Sequence, residues 1–153
     1  MKLTAAKANA FVRNPGSDIL VAVIYGPDEG QVRDLSRRLV REVAGGDEND
    51  PFLVTALTKE ELAEDPTRLI DEAAAIPMMG GRKIVWLRGA PETAAKILTE
   101  WLDDPKGDAM IVIEAGDLTP KSALRKLAEK DQKAVAIACY ADDQGTLDEI
   151  ITL

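Results

Sequence analysis

Apolar residues along this chain come in short compact runs separated by amphipathic stretches, and the alternation predicts strands and helices in turn. Residues 19–25, Ile-Leu-Val-Ala-Val-Ile-Tyr, are apolar without a break, as a strand covered on both faces must be. Residues 28–44 then place Val32, Leu35, Leu39 and Val43 as one stripe on a helix, which Gly45-Gly46-Asp47 closes. Before them, residues 4–13 read as a helix capped by Thr4 and ended by Asn14-Pro15-Gly16.

The pattern continues. A strand is expected over residues 51–57. Thr58 and Glu61 form a capping box that opens a short helix, and Pro66 starts another through Ala75. Strands follow at 83–88, 109–115 and 134–140, with helices at 91–102 and 120–129 between them. Apolar strands alternating with helices predict an α/β fold: three αβα layers around a five-stranded, mainly parallel sheet. From Ala141 the composition turns polar. Residues 1–141 are therefore expected to form one domain, and residues 142–153 to begin another in a longer protein.

Composition narrows the function classes. The 153 residues carry 46% hydrophobic and 30% charged side chains, enough for an aliphatic core without a covalent staple. The formal charge of −8 disfavours direct nucleic-acid binding, which needs a basic face to neutralise phosphates. Arg33, Arg37 and Arg41 share one helix side, but Asp34 and Glu42 among them mark a solvated face. Cys139 is the only cysteine, so no internal disulfide can form, which fits a reducing cytoplasm. The apolar runs fall far short of the ~20 residues that span a bilayer, so no membrane partner is expected.

The turn Gly26-Pro27-Asp28-Glu29-Gly30 sits where a strand feeds a helix, the position of a phosphate-binding loop. Such a loop needs Lys and Ser/Thr directly after its second glycine, and here Gln31, Val32 and Arg33 follow Gly30. Asp28 and Glu29 would repel a polyphosphate and suit helix capping instead. The residues at the end of the 83–88 strand, Arg88-Gly89-Ala90, include no acid to hold Mg²⁺. With no histidine in the chain, zinc sites and nucleophilic triads are excluded, and Cys139 reads as a small buried hydrophobe. A phosphorylation receiver fails as well, for want of an Asp ending the third strand and a Lys after the fifth. Glu114 and Asp117 come closest to a carboxylate pair and are expected as solvated loop acids. No catalytic residue, metal or cofactor is expected.

One segment remains, Ile76-Pro77-Met78-Met79-Gly80-Gly81-Arg82-Lys83. Pro77 ends the preceding helix and the glycines allow a tight bend. Two adjacent long apolar side chains in such a turn cannot both enter one core. Two readings stand: a partner contact, to which flexible, polarisable methionine is suited, or one Met over the sheet edge and the other over the helix end.

The segments Tyr25-Gly-Pro-Asp-Glu-Gly-Gln-Val-Arg33, Asp71-Glu-Ala-Ala-Ala-Ile-Pro-Met-Met-Gly-Gly-Arg-Lys83, Ile111-Val-Ile-Glu-Ala-Gly-Asp-Leu118 and Ser122-Ala-Leu-Arg-Lys126 together resemble the N-terminal domain of the δ subunit of the bacterial DNA polymerase III clamp loader. The resemblance implies an AAA+-like, P-loop-like domain that has lost its nucleotide site, and a non-catalytic part in DNA replication. It implies that the partner is the sliding clamp, the β subunit, whose ring δ opens with a pair of hydrophobic residues. That pair falls on Met78 and Met79, flanked by Ile76, Pro77 and Gly80; other members tend to carry Leu-Phe there. A helical domain and a collar that joins the other loader subunits would follow Leu153. The alternative is a divergent P-loop-like nucleotide-binding enzyme domain with an unorthodox turn.

Overall fold

The computed structural model describes residues 1–139. In chain order these form α1 (Ala5–Arg13), β1 (Val21–Tyr25), α2 (Glu29–Val43), β2 (Val54–Thr58), α3 (Lys59–Glu64), α4 (Thr67–Ala74), β3 (Ile84–Arg88), α5 (Ala94–Asp103), β4 (Met110–Glu114), α6 (Ala123–Lys130) and β5 (Ala134–Ala138). The strands make one sheet in the order β2-β3-β4-β1-β5. Every neighbouring pair is parallel, from Val54 opposite Ile84 at one side to Val21 opposite Ala134 at the other. The expected three-layer α/β fold is present, and its sheet is wholly rather than mainly parallel.

Parallel neighbours must be joined by crossovers, and the alternation of side chains along each strand decides what covers each face. Ala22, Ile24, Trp86, Val112 and Ile137 face one layer, packed with Ala8 and Val12 of α1 and Val32, Leu35, Leu39 and Val40 of α2. Val23, Tyr25, Leu87, Ile111 and Ile113 face the other, against Leu62 of α3, Leu69 of α4, Leu98 and Trp101 of α5 and Leu124 of α6. Each large aliphatic side chain so buried is worth about 1.5–3 kcal/mol relative to exposure.

Several boundaries differ from the sequence expectation, each for a local reason. The 51–57 strand begins only at Val54, because the Asp50 carboxylate accepts from the N–H groups of Phe52 (2.8 Å) and Leu53 (3.3 Å) and folds Pro51-Phe52-Leu53 into a turn. β2 is moreover an edge strand, with Ala56 exposed and Val54 and Thr55 only half-buried, so it is not apolar on both faces. β1 starts two residues late, although Ile19 and Leu20 are buried. α5 begins at Ala94, after a turn in which the Ala94 N–H donates to the Pro91 carbonyl at 2.9 Å. α6 begins at Ala123, where Ser122 caps it by accepting from the Arg125 N–H at 3.3 Å. Glu92 adds a remote cap, accepting from the Ala123 N–H at 2.8 Å. The caps read at Thr4 and Thr58–Glu61 are in place. Tyr140, the 141/142 boundary and residues 142–153 lie outside the described residues.

All strand C-termini point to one edge of the sheet, where Gly26, Arg88 and Glu114 gather. The loops that enter the strands lie at the opposite edge, and among them is the segment between α4 and β3 that carries Met78 and Met79.

Candidate functional site

Helix α4 stops at Ala74, with Ala75 in an extended conformation that leads the chain out of the helix. The next residues make a tight turn: the Gly80 N–H donates to the Pro77 carbonyl at 3.3 Å. Gly80 and Gly81 adopt φ of +77° and +92°, values that side chains rarely tolerate. A Cβ at Gly81 would also lie 3.0 Å from the Leu53 side chain. The turn therefore projects Met78 and Met79 outward. They are 90% and 79% exposed, and Ile76 is 89% exposed; Pro77 is half-buried at the turn's base. Neither methionine covers the sheet edge or the helix end.

An exposed apolar tip is useful only on a fixed base, and both flanks of this loop are fixed. Arg82 reaches under the sheet edge. Its Nε donates to the Asp108 carbonyl at 2.6 Å, one terminal nitrogen donates to the Gly16 carbonyl at 3.0 Å, and the other donates to the Ile19 carbonyl. The one guanidinium thus ties the entrances of β1, β3 and β4 together. Burial lowers its pKa from the ordinary value, against the opposing pull of Asp108 and Asp18.

On the other flank, the buried Lys83 Nζ donates to the Thr55 hydroxyl at 2.7 Å and stands 3.5 Å from the Glu72 carboxylate of α4. The Thr55 hydroxyl in turn donates to Glu72 at 3.1 Å. Glu72 lies just before the loop and Lys83 just after it, so the loop's ends are held together. The sequence reading missed Arg82, Lys83 and Glu72. The available signal was a lysine opening an otherwise buried strand, a position that requires an acid or hydroxyl nearby.

At the opposite edge, the glycine-bounded turn has a different geometry from a phosphate cradle. α2 begins at Glu29, so Gly30 lies inside the helix rather than at the end of a wrapping loop. Asp28 caps α2 by accepting from the Gln31 N–H at 3.1 Å, so the chain's own carboxylate takes a donor that a phosphate would use. Pro27, Glu29 and Gly30 are exposed.

Gly26 has φ of +150°, and a Cβ there would stand 1.8 Å from the Cys139 carbonyl oxygen. Its glycine is required by close packing against the end of β5, where the Cys139 N–H donates to the Tyr25 carbonyl at 2.7 Å. Cys139 is buried, and burial, with Asp28 nearby, pushes its thiol up to about 12, which makes it a poor nucleophile at neutral pH.

Glu114 departs from expectation. It is a half-buried acceptor rather than a solvated loop acid, taking hydrogen bonds from Ser36 Oγ (2.5 Å) and Trp86 Nε1 (3.1 Å). Asp117 is exposed, and the two form no catalytic pair. The depression beside Glu114, between Glu29, Arg33, Arg88 and Gly116, holds 210 Å³, below the ~300–1,000 Å³ of ligand pockets. The Arg88 guanidinium stacks on the Trp86 ring at 4.2 Å. Among the described residues there is no cluster of three or more metal-ligating side chains, and no helix is long and apolar enough to cross a membrane.

The family described as DNA polymerase III, delta subunit, matches residues 23–139. The fold is similar to the DNA clamp loader delta protein YqeN of Bacillus subtilis, with a TM-score of 0.68 at 17% identity, covering 90% of this chain and 42% of that one. It is also similar to a DNA polymerase III gamma subunit-related protein of Thermotoga maritima, with a TM-score of 0.58 at 15% identity, covering 88% and 45%. The chain thus spans less than half the length of either structure. No curated protein matches it in sequence. At these identities the structures establish the fold alone, while the family match takes in both the glycine-bounded turn and the methionine loop. The chain belongs to the DNA polymerase III delta subunit family.

Proposed function

We propose that this chain binds the sliding clamp by inserting Met78 and Met79 into an apolar pocket on the ring, and so helps to open it for loading onto primed DNA. The observation that carries the reading is the pair of adjacent methionines, 90% and 79% exposed, on a turn whose two flanks are pinned by Arg82 and by Lys83 with Glu72. Ile76 beside them and the Pro77–Gly80 turn complete the contact. The opening is mechanical. A wedge that binds the open ring more tightly than the closed one shifts the clamp toward opening by the difference in affinity.

The domain has no catalysis and no nucleotide chemistry of its own in this reading, which the capped helix start and the packed Gly26 support. Residues 1–141 act as the clamp-binding domain in this reading. Contacts with the other loader subunits belong to the part of the relatives' length that this chain does not span. The site of action is the cytoplasm, where the replication machinery works.

The test is binding of the chain to the purified clamp by an immobilised-clamp assay. Met78→Ala with Met79→Ala is expected to abolish measurable binding, each anchor contributing about 2 kcal/mol or more, while the circular dichroism spectrum and Tm stay unchanged. Undiminished binding by a folded double variant overturns the reading.

A further inference from the structure

Among the described residues, five large apolar side chains are exposed: Met1, Phe52, Ile76, Met78 and Met79. Four of them lie on two loops that enter adjacent parallel strands, Phe52 before β2 and the other three before β3. The loops touch. The Ile84 N–H donates to the Leu53 carbonyl at 2.8 Å, and the Leu53 side chain rests where Gly81 has no Cβ. Phe52 is one residue upstream of that contact and Met79 two residues upstream, so the exposed aromatic ring and the exposed methionines stand on touching loops at the same edge of the sheet.

Phe52 is not a stray core residue. The Asp50 carboxylate fixes the turn through the N–H groups of Phe52 and Leu53, and Leu53 takes the inner place against Gly81. The turn leaves Phe52 55% exposed. Two methionines alone would be a loose contact, because each freezes three side-chain torsions on binding. A phenylalanine has two torsions and a large rigid face, the kind of group that dominates interface energetics.

We propose that Phe52 is a third contact residue for the sliding clamp, a rigid aromatic anchor that the neighbouring loop sets beside the methionine pair. This rests on the clamp-binding reading above, and the occupant is the same: the apolar surface of the ring around the pocket that takes Met78 and Met79. Gly81 becomes a positioning residue, since a side chain there would push Leu53 away and disturb the aim of Phe52.

The experiment measures Kd of the full chain for the immobilised clamp with wild type, Phe52→Ala, Phe52→Leu and the Met78→Ala, Met79→Ala double variant, with Tm recorded for each. Phe52→Ala is expected to weaken binding about tenfold or more, with Tm unchanged, and Phe52→Leu to restore part of the loss. If the double variant loses binding while Phe52→Ala stays within twofold of wild type, this inference fails and the clamp-binding reading survives. If the double variant binds as wild type does, both fall. A weakening by Phe52→Ala accompanied by a lowered Tm also counts against the inference, because it assigns Phe52 to the fold rather than to the partner.

Discussion

The Lys83 ammonium stands 3.5 Å from the Glu72 carboxylate across the base of the methionine loop, with the Thr55 hydroxyl bonded to both. Lys83 is nearly enclosed while Glu72 keeps partial contact with water, so the pair works in an intermediate dielectric. Lys83→Met should cost about 1–2 kcal/mol of stability, and a double-mutant cycle with Glu72→Gln should return a coupling near ~1 kcal/mol. Urea unfolding of the four proteins measures both; additive losses would mean that the two residues act independently.

Arg82 should matter more. Removing it takes the guanidinium donor from the carbonyls of Ile19 and Asp108 and leaves the Gly16 carbonyl with only the Ile19 N–H at 3.3 Å, and Arg82→Ala is expected to destabilise the chain by about 2–4 kcal/mol. Arg82→Lys should recover only part, because one ammonium cannot match the guanidinium's spread of donors. Chemical denaturation gives the stability. The clamp-binding assay should register a further loss under conditions where the variant is still folded, because the loop's foundation has moved.

Gly26 separates packing from ligand binding. Gly26→Ala drives a Cβ into the Cys139 carbonyl, and a loss of about 3 kcal/mol or more is expected without any nucleotide present. Calorimetric titration of the wild type with Mg-ATP should give no heat of binding, and its Tm should not rise with ligand. A saturable titration would restore the nucleotide-enzyme alternative.

Cys139 gives a pH signature. Its folded-state pKa of about 12 lies above the ordinary 9.0, so the thiol's contribution to stability is intact below pH 9. It is lost between pH 9 and 12, as the unfolded chain ionises while the folded one cannot, with a slope of up to about 1.4 kcal/mol per pH unit. Cys139→Ala should flatten the stability curve in that window. Iodoacetamide at pH 8 should label the native protein only at the rate at which it unfolds.

Much of the fold was legible because buried parallel strands and amphipathic helices write themselves as pattern. Residues 19–25 and the stripe through Val32, Leu35 and Leu39 admit little else. What pattern could not supply was chemistry acting at a distance. The Asp50 turn that delays β2, the Glu92 carboxylate capping α6, and Glu114 held by Ser36 and Trp86 all join residues far apart in sequence or compete locally with a strand. The site divides in the same way. The exposure of Met78 and Met79 follows from two apolar neighbours in a glycine-closed turn. The clamps beneath them, Arg82 and Lys83, and the nearness of Phe52 depend on strand order, which brings β2 beside β3 and β1 beside β4.

The exposure of Met78 and Met79 also makes them the most accessible thioethers in the described chain, and a thioether at a surface is open to oxidation. Conversion to the sulfoxide would turn each apolar tip into a strong hydrogen-bond acceptor that an apolar pocket rejects. Mild peroxide should therefore silence clamp binding without unfolding the domain. Methionine sulfoxide reductases should restore it, and a Met78→Leu, Met79→Leu chain should be indifferent to both treatments. In the proposed clamp contact, methionine in place of leucine or phenylalanine ties the strength of binding to the oxidative state of the surroundings.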